Sequence, residues 1–75
     1  SMDYRKFIHS SPDILLGKPV FIGTRVSVEQ ILRKMSEGME MPEVLTAYPT
    51  LNKDALLAAL AYSADILERE EVLVD

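Results

Sequence analysis

The chain has 75 residues, 48% of them hydrophobic, and a formal net charge of −4 at pH 7. This length fits one domain, residues 2–75, and so small a fold usually needs disulfides, a metal or a partner chain. Cysteine is absent and His9 is the sole histidine, which excludes disulfides and argues against a metal site. We therefore expect no cofactor and no metal, and stabilisation as a homodimer or by a partner protein.

The charge is divided unevenly along the chain. Residues 1–36 carry six basic and three acidic residues, a net +3, whereas residues 37–75 carry two basic and nine acidic residues, a net −7. This split indicates two surfaces, one for phosphate and one for a basic protein, or alternatively a solvated acidic helix face. No apolar run nears the roughly 20 residues that cross a bilayer, and no signal peptide is evident. We expect a cytoplasmic protein without membrane contact.

The first predicted element is a β segment over residues 4–25. Two short runs of β-forming residues, 7–9 and 20–22, flank turn residues that include Pro12 and Gly17. The pattern predicts a hairpin. Because a lone two-stranded hairpin is marginal in water, it should pack on the helices or pair with another chain.

Three helices are predicted next, over about residues 27–37, 42–48 and 52–71. The first begins with a capping box, in which Ser27 accepts an amide N–H and Gln30 reaches back to the Ser27 backbone. Gly38 stands where a left-handed C-terminal cap is favoured. The second helix has Pro42 at its first position and ends before Pro49.

The third helix has an apolar run over residues 55–62 that leaves no polar side. Such a helix must be covered on more than one side, and the hairpin and two short helices can cover only one. The other side is therefore predicted to bind either a second copy of the chain or another protein. The apolar tail 72–74 could dock there, pair as a strand or fray. The predicted partner-binding residues are Leu57, Leu60, Ala61, Ala64, Leu67, Val72 and Leu73.

Two helices joined by a short turn and followed by a capped helix match a helix-turn-helix motif. The fold class is therefore mainly α: a short N-terminal β-hairpin and a three-helix, helix-turn-helix-like domain with a long third helix. In that motif the first turn of the last helix meets DNA, and basic residues beside the β segment could hold phosphates. The candidate DNA-binding residues are Lys18, Arg25, Thr50, Asn52 and Lys53. Asn52 could equally be a plain helix cap, and Lys18 and Arg25 ordinary surface charge.

Catalytic residues do not form a recognisable set. The carboxylates lack a histidine, cysteine or lysine partner at a spacing typical of a nucleophile or an acid–base pair. We expect a binding protein with no small-molecule substrate, and not an enzyme.

Several motifs together carry a family resemblance. They are the stretch Gly17-Lys18-Pro19-Val20-Phe21-Ile22-Gly23-Thr24-Arg25-Val26-Ser27-Val28, then Gly38, Tyr48-Pro49-x-Leu51 and Ala58-Ala59-Leu60-Ala61-Tyr62. From about Ile8 to Tyr62 the chain resembles the prokaryotic Domain of Unknown Function 433 family. It departs from the pattern at Met41, where members commonly have a Ser or Thr cap.

The resemblance implies a function in a toxin–antitoxin system. Members of this family are regarded as antitoxins of VapB type, encoded beside PIN-like ribonucleases. Such an antitoxin binds its toxin and, as a dimer, its operator DNA. The alternative that the residues leave open is a small homodimeric protein-interaction module with no DNA role.

Overall fold

A computed structural model describes residues 2–69 of the chain. The regular elements are, in order, β1 (Ile8–His9), β2 (Val20–Phe21), α1 (Val28–Ser36), α2 (Met41–Ala47) and α3 (Lys53–Arg69). Short 3-10 turns precede β1, at Tyr4–Lys6, and β2, at Leu15–Gly17. The predicted fold class is confirmed: a short antiparallel hairpin is followed by three helices, the third the longest.

The hairpin is smaller than the predicted β segment 4–25. Ile8 pairs with Phe21 and His9 with Val20, in antiparallel register, and the Ile22 amide donates to the Phe7 carbonyl at 2.8 Å. The rest of the segment is turn, because prolines and turn residues fill the connection between the strands. Burial of Ile8, Val20 and Phe21 holds the hairpin on the helices, as expected for a sheet of two strands.

The connection before β2 contains three successive left-handed residues. Leu15, Leu16 and Gly17 have φ of 48°, 58° and 83°. Glycine adopts this conformation freely, whereas each L-residue with a side chain is strained by roughly 1–2 kcal/mol. The Leu16 side chain is 96% exposed, so its own burial does not compensate for the strain.

Both ends of α1 follow local sequence signals. The Ser27 hydroxyl accepts the Gln30 amide at 3.0 Å, which confirms the predicted N-cap. The reciprocal half of the capping box is wrong, because the Gln30 side chain donates instead to the Tyr48 hydroxyl at 3.2 Å. At the other end Gly38 has φ of 107°, and the amides of Gly38 and Met39 donate back to the last turn, a Schellman motif.

The second helix begins one residue before its predicted start. Its N-cap is Glu40, whose amide donates to the Glu43 carboxylate at 3.0 Å. Met41 is therefore the first helical residue, and a Ser or Thr cap is not needed at that position. The helix ends at Ala47, one residue early, because Pro49 disfavours helical backbone at Tyr48.

The start of α3 follows a local sequence signal. The Asn52 side chain accepts the Ala55 amide at 2.8 Å and so caps α3. The predicted end of this helix at residue 71 lies outside the described residues.

The helices and hairpin enclose one apolar core. Most of the buried cluster comes from α3, α1 and the hairpin. Its members are Ile8, Phe21, Val28, Ile31, Val44, Leu51, Ala55, Leu56, Ala58 and Ala59.

Candidate functional site

One side of α3 faces the core and the other faces solvent. Ala55, Leu56, Ala58 and Ala59 are buried, with exposed fractions of 6% or less. On the opposite side Leu57 is 37% exposed and contacts solvent. It belongs to the run 55–62, which is apolar on every side of the helix. The prediction that this chain's own elements cover only one side of the helix is confirmed in the described part.

The solvent side forms one continuous apolar surface, which we name the α3 stripe. Each member has another member three or four residues away, so together they lie along one helix face. Leu60 is 43% and Leu67 60% exposed, and the alanines between them are half-buried or exposed. Five of the seven predicted partner-binding residues make up the stripe, and Val72 and Leu73 lie outside the described residues. The α3 stripe is Leu57, Leu60, Ala61, Ala64 and Leu67.

Acidic residues border the stripe near each end. Asp54 and Glu68 are exposed, so both carboxylates are open to a basic partner. Asp65 has a different position, because it lies by the N-terminal 3-10 turn, where the Tyr4 ring meets Tyr62 edge-to-face at 5.3 Å. Hydrogen bonding to Asp65, followed by burial, raises the pKa of Tyr4 above its ordinary value.

A groove lies between α1 and α3. It has a volume of about 400 Å³ and its lining includes Leu32, Ser36, Tyr62 and Ser63. Sequence analysis missed this groove. Its only sequence signal is that Leu32 and Tyr62 sit at the margins of apolar helix faces, and contact between two helices cannot be read from either alone.

The structure separates the predicted DNA-binding residues into different places. Lys18 lines a cleft with Arg33 and Lys34, and its ammonium lies 3.1 Å from a carboxylate oxygen of Glu29. Arg33 approaches the other Glu29 oxygen at 3.7 Å. The Lys18 hydrogen bond and charge are the main reasons that the pKa of Glu29 is lowered. Lys18 is therefore engaged with a carboxylate. Arg33 and Lys34 line the same cleft, although neither is among the candidate DNA-binding residues.

Thr50 and Asn52 line a second, smaller cleft together with Lys6. The side-chain oxygen of Asn52 is used to cap α3, which supports its alternative interpretation as a helix cap. Arg25 and Lys53 are exposed, and within residues 2–69 neither forms an ion pair. Lys18 thus lines one cleft, and Thr50 and Asn52 line another.

Metal and membrane features are absent from the part of the chain that the structure describes. Residues 2–69 contain no group of three or more His, Cys, Asp or Glu side chains placed to hold a metal ion. No helix in that range is long and apolar enough to span a membrane.

Comparisons with known proteins place the chain among relatives of undetermined function. Residues 8–63 match the sequence pattern of the family described as Protein of unknown function (DUF433). The chain is similar to the uncharacterized protein y4eO of Sinorhizobium fredii, with 37% identity over 59 residues. That alignment covers 79% of this chain but 27% of the relative, so the chain spans about a quarter of its relative's length. No solved structure matches the chain.

Proposed function

The chain belongs to the DUF433 family, and on that premise we propose that it is the antitoxin of a type II toxin–antitoxin pair, a binding protein whose partner is a PIN-like ribonuclease. The observation that carries the proposal is the α3 stripe. Its three partly exposed leucines lie on one face of a long helix. Exposed apolar surface of this kind marks protein-interaction sites. The identity of the partner follows from the family resemblance.

The chemistry of the stripe suits a groove on such a toxin. Leu57, Leu60 and Leu67 supply helix-in-groove anchors at spacings of three and seven residues. Asp54 and Glu68 flank them and would meet basic side chains, which an enzyme that binds RNA needs around its site. Acidic residues placed there block the access of RNA to those cations. The proposed toxin acts on RNA, and we place the pair in the cytoplasm.

Operator binding is the second part of the proposal and rests on fewer residues. Arg25 and Lys53 are exposed cations outside the ion pairs of the described residues, so they are the best candidates for phosphate contacts. The engagement of Lys18 with Glu29 and the net charge of −4 both weaken non-specific affinity for DNA. These two observations favour the second candidate function, a homodimeric protein-interaction module with no DNA role.

The deciding experiment is neutralisation of a PIN-like ribonuclease encoded beside this chain. We expect the wild-type chain to bind the ribonuclease and to suppress its cleavage of RNA in vitro. Leu60→Glu places a charge in the middle of the stripe and should abolish both effects. Thr46→Glu, at an exposed position on α2, is the matched control and should retain them. Unaltered neutralisation by Leu60→Glu would overturn the assignment of the stripe, and no binding by the wild type would overturn the antitoxin proposal.

Operator binding is tested separately by titrating the promoter DNA of the chain's own gene at several salt concentrations. If Arg25 and Lys53 contact the DNA phosphates, the double variant Arg25→Glu with Lys53→Glu should lose DNA binding. The affinity of the wild-type chain for DNA should then fall steeply as the salt concentration rises. The double variant Arg5→Glu with Arg69→Glu reverses two exposed charges away from the candidate DNA-binding residues, so it controls for the same change in net charge. Equal loss in both variants would refute a specific role for Arg25 and Lys53.

A further inference from the structure

We propose that Thr24 is a positioning residue for DNA binding, because its side chain fixes the turn that presents Arg25. This inference rests on the proposed operator binding and names the residue on which the Arg25 contact depends. Neither the core nor the α3 stripe accounts for the motif Gly23-Thr24-Arg25, since Gly23 and Arg25 are exposed and Thr24 is half-buried.

The Thr24 side chain is hydrogen-bonded to both sides of the turn. Its hydroxyl donates to the Phe21 carbonyl at 2.8 Å and accepts the Val26 amide at 3.0 Å. The Thr24 amide donates to the same Phe21 carbonyl at 3.1 Å, and the Phe21 amide donates to the Val26 carbonyl at 3.0 Å. Arg25 is therefore the central residue of a ring that the Thr24 hydroxyl and the Val26 amide close, which restricts its backbone.

The base of the turn is joined to the rest of the fold. Val20 in β2 forms an antiparallel bridge with Ser27, the N-cap of α1, and the Val28 amide donates to the Pro19 carbonyl at 3.0 Å. The turn is thus held between a strand and a helix. An arginine on a rigid element loses less conformational freedom on binding than one on a mobile loop, so more of its contact energy appears as affinity.

The turn also lies beside the start of α3. Its residue Ile22 lines a cleft of about 220 Å³ together with Lys6 and Asn52. Lys6 is the one charged residue among the described residues that line this cleft. Arg25 follows Ile22 in the turn, and Lys53 follows Asn52 at the start of α3. The two cations proposed to contact phosphates therefore belong to elements that meet at one cleft, where Lys6 adds a third positive charge.

Titration of a labelled duplex of the chain's own promoter tests the role of the Thr24 hydroxyl. Thr24→Val keeps the shape of the side chain but loses both hydroxyl hydrogen bonds, whereas Thr24→Ser retains a hydroxyl and is the matched control. We expect Thr24→Val to weaken DNA binding roughly two- to tenfold, the range that corresponds to the ordering of one long side chain. Thr24→Ser should bind as the wild type does.

A double-mutant cycle with Arg25→Ala distinguishes positioning from a general effect on the fold. If Thr24 acts through Arg25, Thr24→Val should leave the DNA affinity unchanged in the Arg25→Ala background, because the contact that it supports is already absent. An equal fold-loss of affinity in both backgrounds would overturn the inference. Equal affinity of Thr24→Val and the wild type would overturn it as well.

Hydrogen exchange of the Val26 amide supplies a measurement that needs neither DNA nor a variant. This amide should exchange slowly in the wild-type chain, because the Thr24 hydroxyl accepts its proton. Fast exchange in the wild type would overturn the positioning even if Thr24→Val fails to fold. A wild-type chain that does not bind the duplex would overturn operator binding itself, and this inference with it. Binding by the wild type without coupling between Thr24 and Arg25 would overturn this inference alone.

Discussion

Two neighbouring leucines on α3 separate the contribution of this helix to folding from its contribution to binding. Leu56 is 1% exposed in the core, whereas Leu60, one turn further on, is 43% exposed in the stripe. We expect Leu56→Ala to lower the free energy of unfolding by about 2–5 kcal/mol, the usual range for a leucine truncated in a core. A domain of this size is stable by roughly 4–11 kcal/mol, so that loss takes a large share of it.

Compared with Leu56→Ala, Leu60→Ala should lower the free energy of unfolding less and should weaken partner binding more. A little over half of this side chain is covered, which scales the folding loss to about 1–3 kcal/mol. Full burial of a leucine is worth about 1.5–3 kcal/mol, so covering the exposed 43% contributes ~0.6–1.3 kcal/mol to binding. That corresponds to a partner affinity roughly three- to tenfold weaker.

Urea unfolding followed by circular dichroism measures the first quantity, and calorimetric titration with the partner measures the second. The affinity of Leu56→Ala for the partner is measured without urea, at a temperature at which the variant remains folded. This affinity should match that of the wild type. The reasoning is refuted if Leu60→Ala destabilises the chain as much as Leu56→Ala, because the stripe would then be part of the core. Unchanged affinity of Leu60→Ala for the partner would refute the role of the stripe in binding.

Three further predictions concern the loop, a helix cap and an ion pair. Leu16→Gly should raise the free energy of unfolding by about 0.5–1 kcal/mol, since it relieves the left-handed strain without losing buried surface. Leu16→Ala keeps the strain and should not raise it. A lower urea midpoint for the glycine variant than for the wild type would contradict this prediction. Asn52→Ala should lower the free energy of unfolding by ~1 kcal/mol through loss of the α3 cap. Asn52→Asp should retain the cap and the stability. Equal losses of stability in both variants would contradict a capping role for Asn52. The pKa of Glu29 is lowered in the folded chain by Lys18, so its contribution to stability is present above the ordinary carboxyl pKa and is lost as the pH falls through the lowered value. The urea midpoint of the wild type should therefore be higher than that of Glu29→Gln at pH 7, and this difference should disappear in acid. A difference between the two midpoints that stays constant with pH would exclude the charge of Glu29 as its source.

The limits of α1 and the start of α3 could be predicted because their signals are local. The Ser27 cap, the left-handed Gly38 and the Asn52 cap each act within a few residues of the chain, and short-range hydrogen bonds depend little on the rest of the fold. The start of α2 was misplaced by one residue because Glu40 is an unusual cap. It serves here because its amide donates to Glu43.

The candidate site was predicted only in part. The apolar run 55–62 predicts cover on more than one side of α3, and the structure leaves Leu57, Leu60 and Leu67 exposed on its outer side. The grouping of cations could not be predicted, because Lys18 and Glu29 are eleven residues apart and meet only when the loop before β2 lies against α1. The groove beside Tyr62 likewise requires two helices to be placed next to each other.

The sequence by itself determined the three helices, the mainly helical fold and the presence of one excess apolar face on the last helix. These follow from periodicity and from capping within a turn of each helix end, which act locally. Only the tertiary structure decided that Leu56 is core and Leu60 is surface, that Gln30 bonds Tyr48 rather than its own cap, and that Lys18 is paired. Each of these depends on which distant element covers a given face, and a one-dimensional pattern of apolar and charged residues does not specify that.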